Sequence, residues 1–339
     1  MRQAVMHRPG AIEFHDVAMP DLDDHDVLVR VERIGVCGSD VHVFHGLHPY
    51  TSYPVVQGHE VGGTISQVGG AVSGLAVGDV VTFLPQIVCG SCYPCRHGMH
   101  HICDHLKVMG FQAPGAAQEY FAVPGESIVK LPPGASADEA AMIEPIAVAV
   151  HALKRGGGAR GKKVLVLGGG PIGNLTAQVA RATGAESVML TDIDPFRRQK
   201  ASECGVAPVV NPADTDLEHA LDHHFGPDRA DLILECVGVE ATMSQAISVA
   251  RKGSTIVVVG VFAGKPAVDF GLVQDRELDV VGSLMYQRPD FETAVRLLAE
   301  ERLALKPLIT HHYPFETYLD AYQHIVSGHD TMKVMIDVS

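Results

Sequence analysis

The pattern of hydrophobic and polar positions divides the chain near residue 130. Before that point the apolar runs are short and loosely alternating, as in Val27–Arg33 and Val77–Phe83, and glycine or proline interrupts them about every ten residues. Short alternating runs between turn-forming residues are typical of half-buried strands. The pattern therefore predicts a first region that is built of β-strands and resembles a barrel.

After Pro132–Pro133 the pattern predicts helices and strands in alternation. The stretch Ala140–Leu153 is long, apolar and mostly free of helix breakers, which predicts a buried helix that the glycines at 156–158 end. Alternating strands and helices are typical of a parallel, doubly wound sheet, so the second region is predicted to be α/β. The other predicted elements are strands at Lys163–Leu167, Ser187–Thr191, Leu232–Leu234, Thr255–Val259 and Lys333–Asp337, and helices at Asn174–Thr183, Ala241–Arg251 and Phe291–Glu301.

Length and composition limit the class of protein. A chain of 339 residues is too long for one ordinary hydrophobic core and fits two domains. Its 46% hydrophobic and 19% charged residues exclude a disordered composition. The net charge of −14 at pH 7 argues against nucleic acid or an anionic membrane as a partner, since both require clustered lysine and arginine.

The cysteine content and the N-terminal segment favour a reducing compartment. Residues 1–16 contain no apolar stretch of the kind that a signal peptide needs, and the sequence has no run of about eighteen apolar residues that predicts a membrane helix. The seven cysteines are odd in number and are not spaced as a disulfide framework. We therefore expect a cytoplasmic protein whose grouped thiols bind metal.

Four cysteines within fifteen residues predict a closed zinc site. Structural zinc is tetrahedral and often takes four thiolates from one short loop. An iron–sulfur cluster is an alternative, but the last gap is longer than in ferredoxins and Asp104 stands where a proline is expected. A disulfide conflicts with the expected compartment, and the interleaved histidines are expected to be solvated. The four ligands are Cys89, Cys92, Cys95 and Cys103, and the histidines are His97, His100, His101 and His105.

A second group of metal-binding residue types comes from separated segments. Cys37 begins the segment Cys-Gly-Ser-Asp, and His59 and Glu60 follow Gly58 about twenty residues later. Three protein ligands leave one position of a zinc ion open, and catalysis at zinc requires an open position. The spacing alone is not specific, because an isolated cysteine or histidine is usually a packing or surface residue.

A glycine-rich turn predicts a dinucleotide site. The sequence Gly-Gly-Gly-Pro-Ile-Gly at 168–173 fits the G-x-G-x-x-G pattern, follows a predicted strand and opens a predicted helix. In this fold Gly168 permits the tight turn, Gly170 lets the backbone approach the pyrophosphate, and Gly173 lets the helix pack closely on the strand.

The residue at the end of the second predicted strand bears on the choice of cofactor. Asp192 follows Gly173 by nineteen residues, and an acidic residue at this place accepts hydrogen bonds from the adenosine ribose. Its charge would repel a 2′-phosphate, so NAD is predicted rather than NADP. The neighbouring Arg197 and Arg198 leave NADP as an alternative.

The chain resembles the zinc-containing medium-chain alcohol dehydrogenases over its whole length. Within that family it is most similar to the polyol, sugar-acid and threonine dehydrogenases, which carry glutamate after the metal histidine and Glu-Pro where simple-alcohol enzymes carry a third zinc-binding cysteine. The motifs that carry the resemblance are Cys-Gly-Ser-Asp at 37–40, Gly-His-Glu-Val-Gly-Gly at 58–63 followed by Gly69, the cysteine lobe, Glu144–Pro145, the glycine-rich loop and Glu-Cys-Val-Gly at 235–238.

The resemblance implies the architecture. Residues 1–148, completed by 284–339, would form a GroES-like β-barrel catalytic domain, and residues 149–283 would form a Rossmann domain that binds the cofactor. It also implies a homodimer or homotetramer, in which the apolar strands near Thr255–Val259 and Leu278–Leu284 could pair across a two-fold axis.

The resemblance further implies roles for individual residues. Cys37, His59 and Glu60 would be ligands of the catalytic zinc, and Glu144 would be a fourth, exchangeable ligand or an anchor for a bound water. The serine and histidine of the segment after Cys37 match the proton-relay positions of the family. These relay residues are Ser39 and His42, and the implied NAD contacts are Ile172, Asp192, Arg197, Gly260, Val261 and Tyr286.

One departure from the family bears on the substrate. The polyol branch commonly has arginine before the tyrosine of the segment Gly282–Tyr286, where this chain has Met285. Arg288–Thr293 resembles the threonine dehydrogenases, but their aromatic-rich stretch is absent from residues 45–53. We therefore predict oxidation of a secondary alcohol of a polyol or sugar acid to a ketone. An L-threonine 3-dehydrogenase is the alternative, and a non-catalytic zinc- and nucleotide-binding relative is a remote one.

Overall fold

The fold is described from a computed structural model, which defines residues 1–328 and 330–339. The chain forms two compact units. The first contains Met1–Glu144, Gln287–Val295 and Ile309–Ser339, and the second contains Pro145–Tyr286 and Arg296–Leu308. Among the described residues, none of the helices is both long and apolar enough to cross a lipid bilayer.

The segment Arg296–Leu308 belongs to the second unit, whereas the domain boundaries predicted from the sequence join it to the first. Its attachment comes from the Gln178 side chain, which accepts a hydrogen bond from Ala304 N at 2.7 Å and donates one to Ala304 O at 3.3 Å. The compact units do not test the predicted domain bounds, because a segment can pack on one unit and belong to the other domain, so the bounds remain a prediction.

The first unit begins with short strands and tight turns, as the alternating pattern predicts. The elements in chain order are β1 (Arg2–Arg8), β2 (Ala11–Asp16), β3 (Asp26–Val36), α1 (Gly38–Phe44), β4 (Glu60–Val68), β5 (Val80–Phe83), β6 (Gln86–Ile87), α2 (Tyr93–Arg96), β7 (Lys107–Val108), β8 (Tyr120–Pro124), β9 (Ile128–Lys130) and α3 (Ala137–Arg155).

The elements that follow alternate between strand and helix and then return to the first unit. They are β10 (Lys163–Leu167), α4 (Pro171–Ala182), β11 (Ser187–Thr191), α5 (Pro195–Glu203), β12 (Val209–Val210), α6 (Leu217–Phe225), β13 (Leu232–Glu235), α7 (Glu240–Val249), β14 (Thr255–Val258), α8 (Phe270–Asp275), β15 (Asp279–Gly282), α9 (Arg288–Ala299), β16 (Ile309–Pro314), α10 (Tyr318–Ser327) and β17 (Lys333–Asp337).

The main sheet of the first unit joins strands from both parts of the sequence. Its strand order is β16-β17-β3-β4-β5-β9, with β8 also paired to β3. The long β3 is the centre of this sheet, and its residues Val27, Val29 and Val31 are completely buried in the core. Because β17 pairs with the end of β3, Lys333 at the start of β17 lies close to the segment that carries Cys37.

The second unit contains a six-stranded parallel sheet in the order β12-β11-β10-β13-β14-β15. Val164–Leu167 is buried on both faces of the sheet, which explains why this strand reads as a continuous apolar run. The predicted doubly wound α/β fold is thus confirmed, and β10 leads directly into the glycine-rich turn.

The predicted elements agree with the structure except at some ends. The strands Ser187–Thr191 and Lys333–Asp337 have the predicted bounds. The helix predicted from Asn174 begins at Pro171, because proline has the φ of a first helical turn and needs no N–H partner there. The strand predicted from Val77 begins only at Val80, because Gly78 has a φ of +93° in the preceding turn.

Candidate active site

The three residues of the predicted open metal site lie together in the first unit. Cys37 is the N-cap of α1, directly after β3, and Glu60 is the first residue of β4, directly after His59. Antiparallel pairing places Glu60 opposite Gly35. One donor atom from each of Cys37, His59 and Glu60 lies within 4.8 Å of the other two, which is close enough for one metal ion to bind all three.

A buried carboxylate lies beside two of these residues. Asp40 Oδ2 accepts a hydrogen bond from Cys37 N at 2.9 Å, and Asp40 Oδ1 lies 3.5 Å from His59 Nδ1. Gln57 Nε2 donates to Asp40 Oδ1 at 3.1 Å, and the Tyr322 hydroxyl donates to Gln57 Oε1 at 2.8 Å. The distance of 3.5 Å is too long for a good hydrogen bond, and Nδ1 has no other partner among residues 1–328 and 330–339, so Asp40 acts on His59 through its charge.

The charges around His59 favour a cation. Burial lowers the pKa of His59, but the carboxylate of Asp40 and the thiol of Cys37 raise it by more, so its pKa lies well above the ordinary value. A site that stabilises a positive charge on an imidazole also stabilises a bound metal ion. Together with the thiol, imidazole and carboxylate donors, this environment fits a zinc ion.

Glu60 forms an ion pair with Lys333, a residue that the sequence analysis did not connect with this site. Lys333 Nζ donates to Glu60 Oε1 at 2.7 Å and to Oε2 at 2.6 Å, and it also donates to Val36 O at 3.2 Å. Both residues of this ion pair are at most 2% exposed. Burial lowers the pKa of Lys333, but Glu60 and Cys37 raise it by more, so the lysine is charged.

The backbone leaves room for this pair at one position. A Cβ atom on Gly35 would lie 2.2 Å from Glu60 Oε2, so any side chain there would displace the carboxylate. Each carboxylate oxygen has two lone pairs, so the bonds to Lys333 leave one on each oxygen for another partner. Glu60 is therefore able to orient the site, to bind metal, or to exchange between the two.

Glu144 lies on α3 and is 6% exposed. Among residues 1–328 and 330–339, the group of donor atoms within 4.8 Å of one another at this site contains Cys37, His59 and Glu60 but not Glu144. Its charge nevertheless contributes to the raised pKa of Lys333. Glu144 thus belongs to the same electrostatic environment without joining the compact group.

The predicted relay residues share one short helix. Ser39 and His42 are both on α1 and are three positions apart, so their side chains lie on the same face. Ser39 is half-buried and His42 is exposed. The helix therefore provides a serine near Cys37 and a histidine in contact with solvent.

An aromatic stack connects the metal site with residues 45–53. Phe111 packs against His59 with ring centroids 4.9 Å apart, and against His48 with the same separation. The His48 ring hydrogen-bonds to the Thr51 hydroxyl at 2.8 Å, and burial lowers the pKa of His48. His48 is thus separated from His59 by one aromatic ring, whereas Tyr50 is exposed.

The sulfur atoms of the four cysteines of the lobe lie within 4.8 Å of one another. Cys103 Sγ lies 3.5 Å from Cys89 Sγ and 3.7 Å from Cys92 Sγ, and all seven cysteines are free. A disulfide needs an S–S distance of about 2.05 Å, whereas thiolates on a tetrahedral zinc ion are about 3.8 Å apart because each Zn–S bond is about 2.3 Å. The spacing fits zinc and excludes a disulfide.

Backbone groups stabilise thiolate sulfur in this lobe. Hydrogen bonds from Ser91 and Cys92 backbone N–H groups lower the pKa of Cys89 to about 5, whereas burial raises the pKa of Cys95 to about 12. Four thiols so close together cannot all ionise without a cation. The expectation that the interleaved histidines are solvated is wrong for His101, which is buried and hydrogen-bonds to Gln287 at 3.0 Å.

The glycine-rich turn of the second unit has the shape of a phosphate cradle. Gly168 has a φ of +102°, which favours glycine, and a Cβ on Gly173 would lie 1.9 Å from Gly168 O. Gly170 is the N-cap of α4, and a Cβ there would meet no atom within 4 Å. The open space next to a helix N-terminus fits a pyrophosphate.

Asp192 lies beside this turn at the end of β11. Its Oδ2 accepts a hydrogen bond from Gly169 N at 2.6 Å, and its Oδ1 accepts one from Asp194 N at 2.8 Å. Arg197 Nη1 is 3.9 Å from Asp192 Oδ2, and the Arg198 side chain donates to Asp192 O at 2.9 Å. The carboxylate is thus fixed at the position where this fold binds the ribose.

The remaining predicted cofactor contacts are distributed over the second unit. Ile172 is half-buried in the first turn of α4. Gly260 follows β14 and packs so closely on Gly238 that a Cβ would lie 2.1 Å from Gly238 N. Val261 is largely exposed, whereas Tyr286 is completely buried.

Comparison with known proteins identifies the family. The family model of the alcohol dehydrogenase GroES-like domain matches residues 23–133, and the family model of the zinc-binding dehydrogenases matches residues 171–300. Together these ranges cover more than half of the chain. The chain belongs to the zinc-binding dehydrogenases.

Individual relatives of this zinc-binding dehydrogenase act on sugar acids and polyols. It is 36% identical over 313 residues to the 2-dehydro-3-deoxy-L-galactonate 5-dehydrogenase of Pseudoalteromonas atlantica, covering 92% of this chain and 91% of that protein. It is 35% identical over 335 residues to the sorbitol dehydrogenase of Halalkalibacterium halodurans, covering 97% and 96%. A crystal structure of a zinc-binding dehydrogenase from Sinorhizobium meliloti 1021 bound to NADP is similar with a TM-score of 0.92 and 30% identity, covering 99% of each chain.

These matches confirm the predicted family and fold. The sequence analysis did not identify four residues that surround the predicted metal ligands of this dehydrogenase. Asp40 is part of the Cys-Gly-Ser-Asp motif, so its spacing from Cys37 was a usable signal. Gln57, Tyr322 and Lys333 gave no such signal, because Tyr322 and Lys333 reach the site only through tertiary contacts from more than 260 positions away.

Proposed function

We propose that this dehydrogenase oxidises a secondary alcohol of a polyol or sugar acid to a ketone and transfers the hydride to NAD. The observation that carries the proposal is the convergence of Cys37, His59 and Glu60 beside the relay helix α1. Residues 1–148 with 284–339 act as the catalytic domain, and residues 149–283 bind the cofactor. Free cysteines throughout the chain support a role in the cytoplasm.

The chain holds two zinc ions with different roles. Cys37, His59 and Glu60 hold the catalytic ion, with Glu144 as an exchangeable ligand or water anchor, and the four-cysteine lobe holds the structural ion. Bound at the open site, zinc acts as a Lewis acid that stabilises negative charge on the alcohol oxygen.

The protein residues position the substrate and move its proton. The Ser39 hydroxyl accepts the proton of the alcohol while it gives up its own proton toward His42, which lies on the same helix face and releases a proton to solvent. The charge of Asp40 stabilises positive charge at His59, and Lys333 balances the charge of Glu60 so that the site carries less net negative charge. Phe111 covers one side of His59 and limits the access of water.

The substrate class follows from the polar character of the site and from the relatives. Carboxylates and His48 make the surroundings of the metal position polar, and an apolar alcohol offers them nothing to replace their hydrogen bonds with water, at about 1–3 kcal/mol each. A polyhydroxylated substrate satisfies them, and the curated relatives that act on galactonate derivatives and sorbitol support the same class.

A substrate panel tests this assignment. We expect the catalytic efficiency with pentitols, hexitols or aldonic acids to exceed that with 2-propanol by about ten- to a hundredfold. The measurement is initial-rate NADH formation with ethanol, 2-propanol, threonine, pentitols, hexitols and aldonic acids. A simple alcohol as the best substrate would contradict the polyol assignment, threonine as the best would make this an amino-alcohol dehydrogenase, and no NADH with any of them would support a non-catalytic relative.

Cofactor preference depends on the charge of Asp192. We expect NAD to be used more efficiently than NADP, and Asp192→Asn to narrow the gap by about ten- to a hundredfold, because asparagine keeps one of the two backbone hydrogen bonds but has no charge to repel a 2′-phosphate. The measurement is kcat/KM for each cofactor at saturating substrate. Asp216→Asn is a matched control, because Asp216 also accepts backbone N–H bonds but caps α6.

Equal use of the two cofactors would require a different role for the residues at the end of β11. Equal efficiencies with NAD and NADP in the parent enzyme would contradict the role of Asp192, and Arg197 would then be the group that accepts the phosphate. The NADP-bound relative from Sinorhizobium meliloti makes this comparison necessary.

We also propose that the protein is a homodimer or homotetramer. The strand β15 is an edge of the parallel sheet, and Val280 on this strand and the following Leu284 are 39% and 55% exposed. Apolar side chains on an unpaired edge favour association with a second copy. The native mass in sedimentation measures the number of copies.

A further inference from the structure

A cluster of metal-binding residue types lies in the first unit and takes no part in the proposed reaction. His311 is on β16, His324 is on α10, and Asp330 lies between α10 and β17. One donor atom from each of these three residues lies within 4.8 Å of the other two. The cluster therefore joins a strand, a helix and a connecting segment that are separate in the sequence.

The Asp330 carboxylate faces both imidazoles. His324 Nε2 lies 2.9 Å from Asp330 Oδ1, and His311 Nε2 lies 3.8 Å from Asp330 Oδ2. The two rings are packed edge to face with centroids 4.4 Å apart. The distance from His311 is too long for a hydrogen bond, and within residues 1–328 and 330–339 its Nδ1 has no hydrogen-bond partner either.

A tyrosine fixes the orientation of one ring. The Tyr313 hydroxyl hydrogen-bonds to His324 Nδ1, which leaves Nε2 of the same ring directed at Asp330. Tyr313 and His311 are two positions apart on β16, so both side chains are on the same side of the strand. Histidines that bind metals typically have the other ring nitrogen held by a hydrogen bond of this kind.

We propose that His311, His324 and Asp330 form a third, peripheral site for a divalent transition metal such as Zn²⁺. Two imidazole nitrogens and a carboxylate oxygen are ligands that zinc accepts, and donors on a tetrahedral zinc ion are about 3.3 Å apart, so small side-chain rotations bring these donors to that spacing. An ion here satisfies His311, which otherwise lacks a hydrogen bond.

The exposure of the ligands sets the character of this site. The side chains of His311 and His324 are 27% and 26% exposed, and that of Asp330 is 60% exposed. Water can therefore complete the coordination, and the metal exchanges with solvent. The site binds more weakly than the cysteine lobe, and its occupancy depends on the free metal concentration.

A second histidine cluster provides an internal control. His7, Glu13 and His15 lie on the β1–β2 hairpin and also have donor atoms within 4.8 Å of one another. There, however, His7 Nε2 and His15 Nε2 are hydrogen-bonded to each other at 2.8 Å, and Glu13 is 3.8 Å away and largely exposed. The two imidazoles that would bind a metal are hydrogen-bonded to each other there, whereas His324 Nε2 is held by Asp330, which would itself be a ligand, so we expect no site on the hairpin.

The experiment is a calorimetric titration of the purified holoenzyme with Zn²⁺, after its tightly bound zinc has been counted. The parent protein and His15→Gln should bind one further Zn²⁺, and His324→Gln and Asp330→Asn should each weaken this binding at least tenfold. Added Zn²⁺ should also raise the melting temperature of the parent and of His15→Gln, and raise that of His324→Gln much less.

The set of variants separates loss of the metal site from loss of folding. Circular dichroism and NADH-linked turnover identify a variant that fails to fold, and Asp330→Asn, on an exposed segment, gives the answer if His324→Gln does not fold. A parent protein that binds no zinc beyond its tight equivalents would overturn the proposal. Loss of the additional zinc in His15→Gln, or its full retention in both His324→Gln and Asp330→Asn, would do the same.

Discussion

Cys37→Ser should lower kcat/KM for alcohol oxidation by more than about a hundredfold while the protein stays folded. Changes to residues that only orient metal ligands already cost about ten- to a hundredfold, so the loss of a ligand should cost more. The thiol lies at the N-cap of α1, where serine is a favourable residue, so the helix should persist. The measurements are steady-state kinetics, zinc content and thermal unfolding of the same preparation.

Cys95→Ser is the matched variant, because it makes the same change in the closed lobe. Cys95 is buried, and its site has no open position for a substrate. This variant should lose zinc from the lobe and unfold at a lower temperature, while molecules that remain folded turn over normally. If Cys37→Ser turned over normally, or if Cys95→Ser lost turnover without any loss of stability, the assignment of the two sites would be wrong.

Lys333→Met should destabilise the first unit by about 3–5 kcal/mol. The substitution removes the ammonium that lies 2.6 Å and 2.7 Å from the oxygens of Glu60 and leaves a buried carboxylate without its partner. The measurement is the free energy of unfolding in urea, taken on protein whose open site has been emptied with a chelator while the cysteine lobe keeps its zinc, so that no metal ion replaces the lysine as the partner of Glu60. Combining it with Glu60→Gln should restore part of the stability, because no buried charge then remains unpaired.

Lys130→Met is the control for this change, because it removes an exposed lysine from its ion pair with Asp79. The Lys130 side chain is 47% exposed, and such pairs contribute about 0–1 kcal/mol. Similar losses in Lys333→Met and Lys130→Met would mean that the buried pair does not stabilise the fold. A double variant less stable than Lys333→Met would show that Glu60 is held by partners other than the lysine.

Local patterns predicted the fold because each region obeys one rule throughout. The strand Val164–Leu167 is buried on both faces, so it reads as an apolar run, and the glycine-rich turn follows it without interruption. The grouping of the four thiols in the cysteine lobe was equally predictable, because they lie within fifteen residues of sequence. These features depend on residues that are close together in the sequence, and a local sequence pattern is therefore enough to predict them.

The surroundings of the metal site were not predictable in this way. Lys333 reads as the polar first residue of an apolar strand, and only the pairing of β17 with β3 brings it to Glu60. Tyr322 likewise reads as one of several aromatic residues of a helix, although its hydroxyl bonds to Gln57. Contacts of this kind depend on tertiary packing, for which a single sequence carries no local signal.

The position of β17 also determines the order in which the protein is completed during synthesis. At about 5–20 residues per second, a ribosome takes roughly 15–60 s to make the first 300 residues. Through that time the end of β3 beside Cys37 lacks its neighbouring strand, and Glu60 lacks its lysine. The cysteine lobe, in contrast, has all four of its thiols once Cys103 has emerged, whereas the surroundings of Cys37 and Glu60 are complete only once Lys333 has emerged.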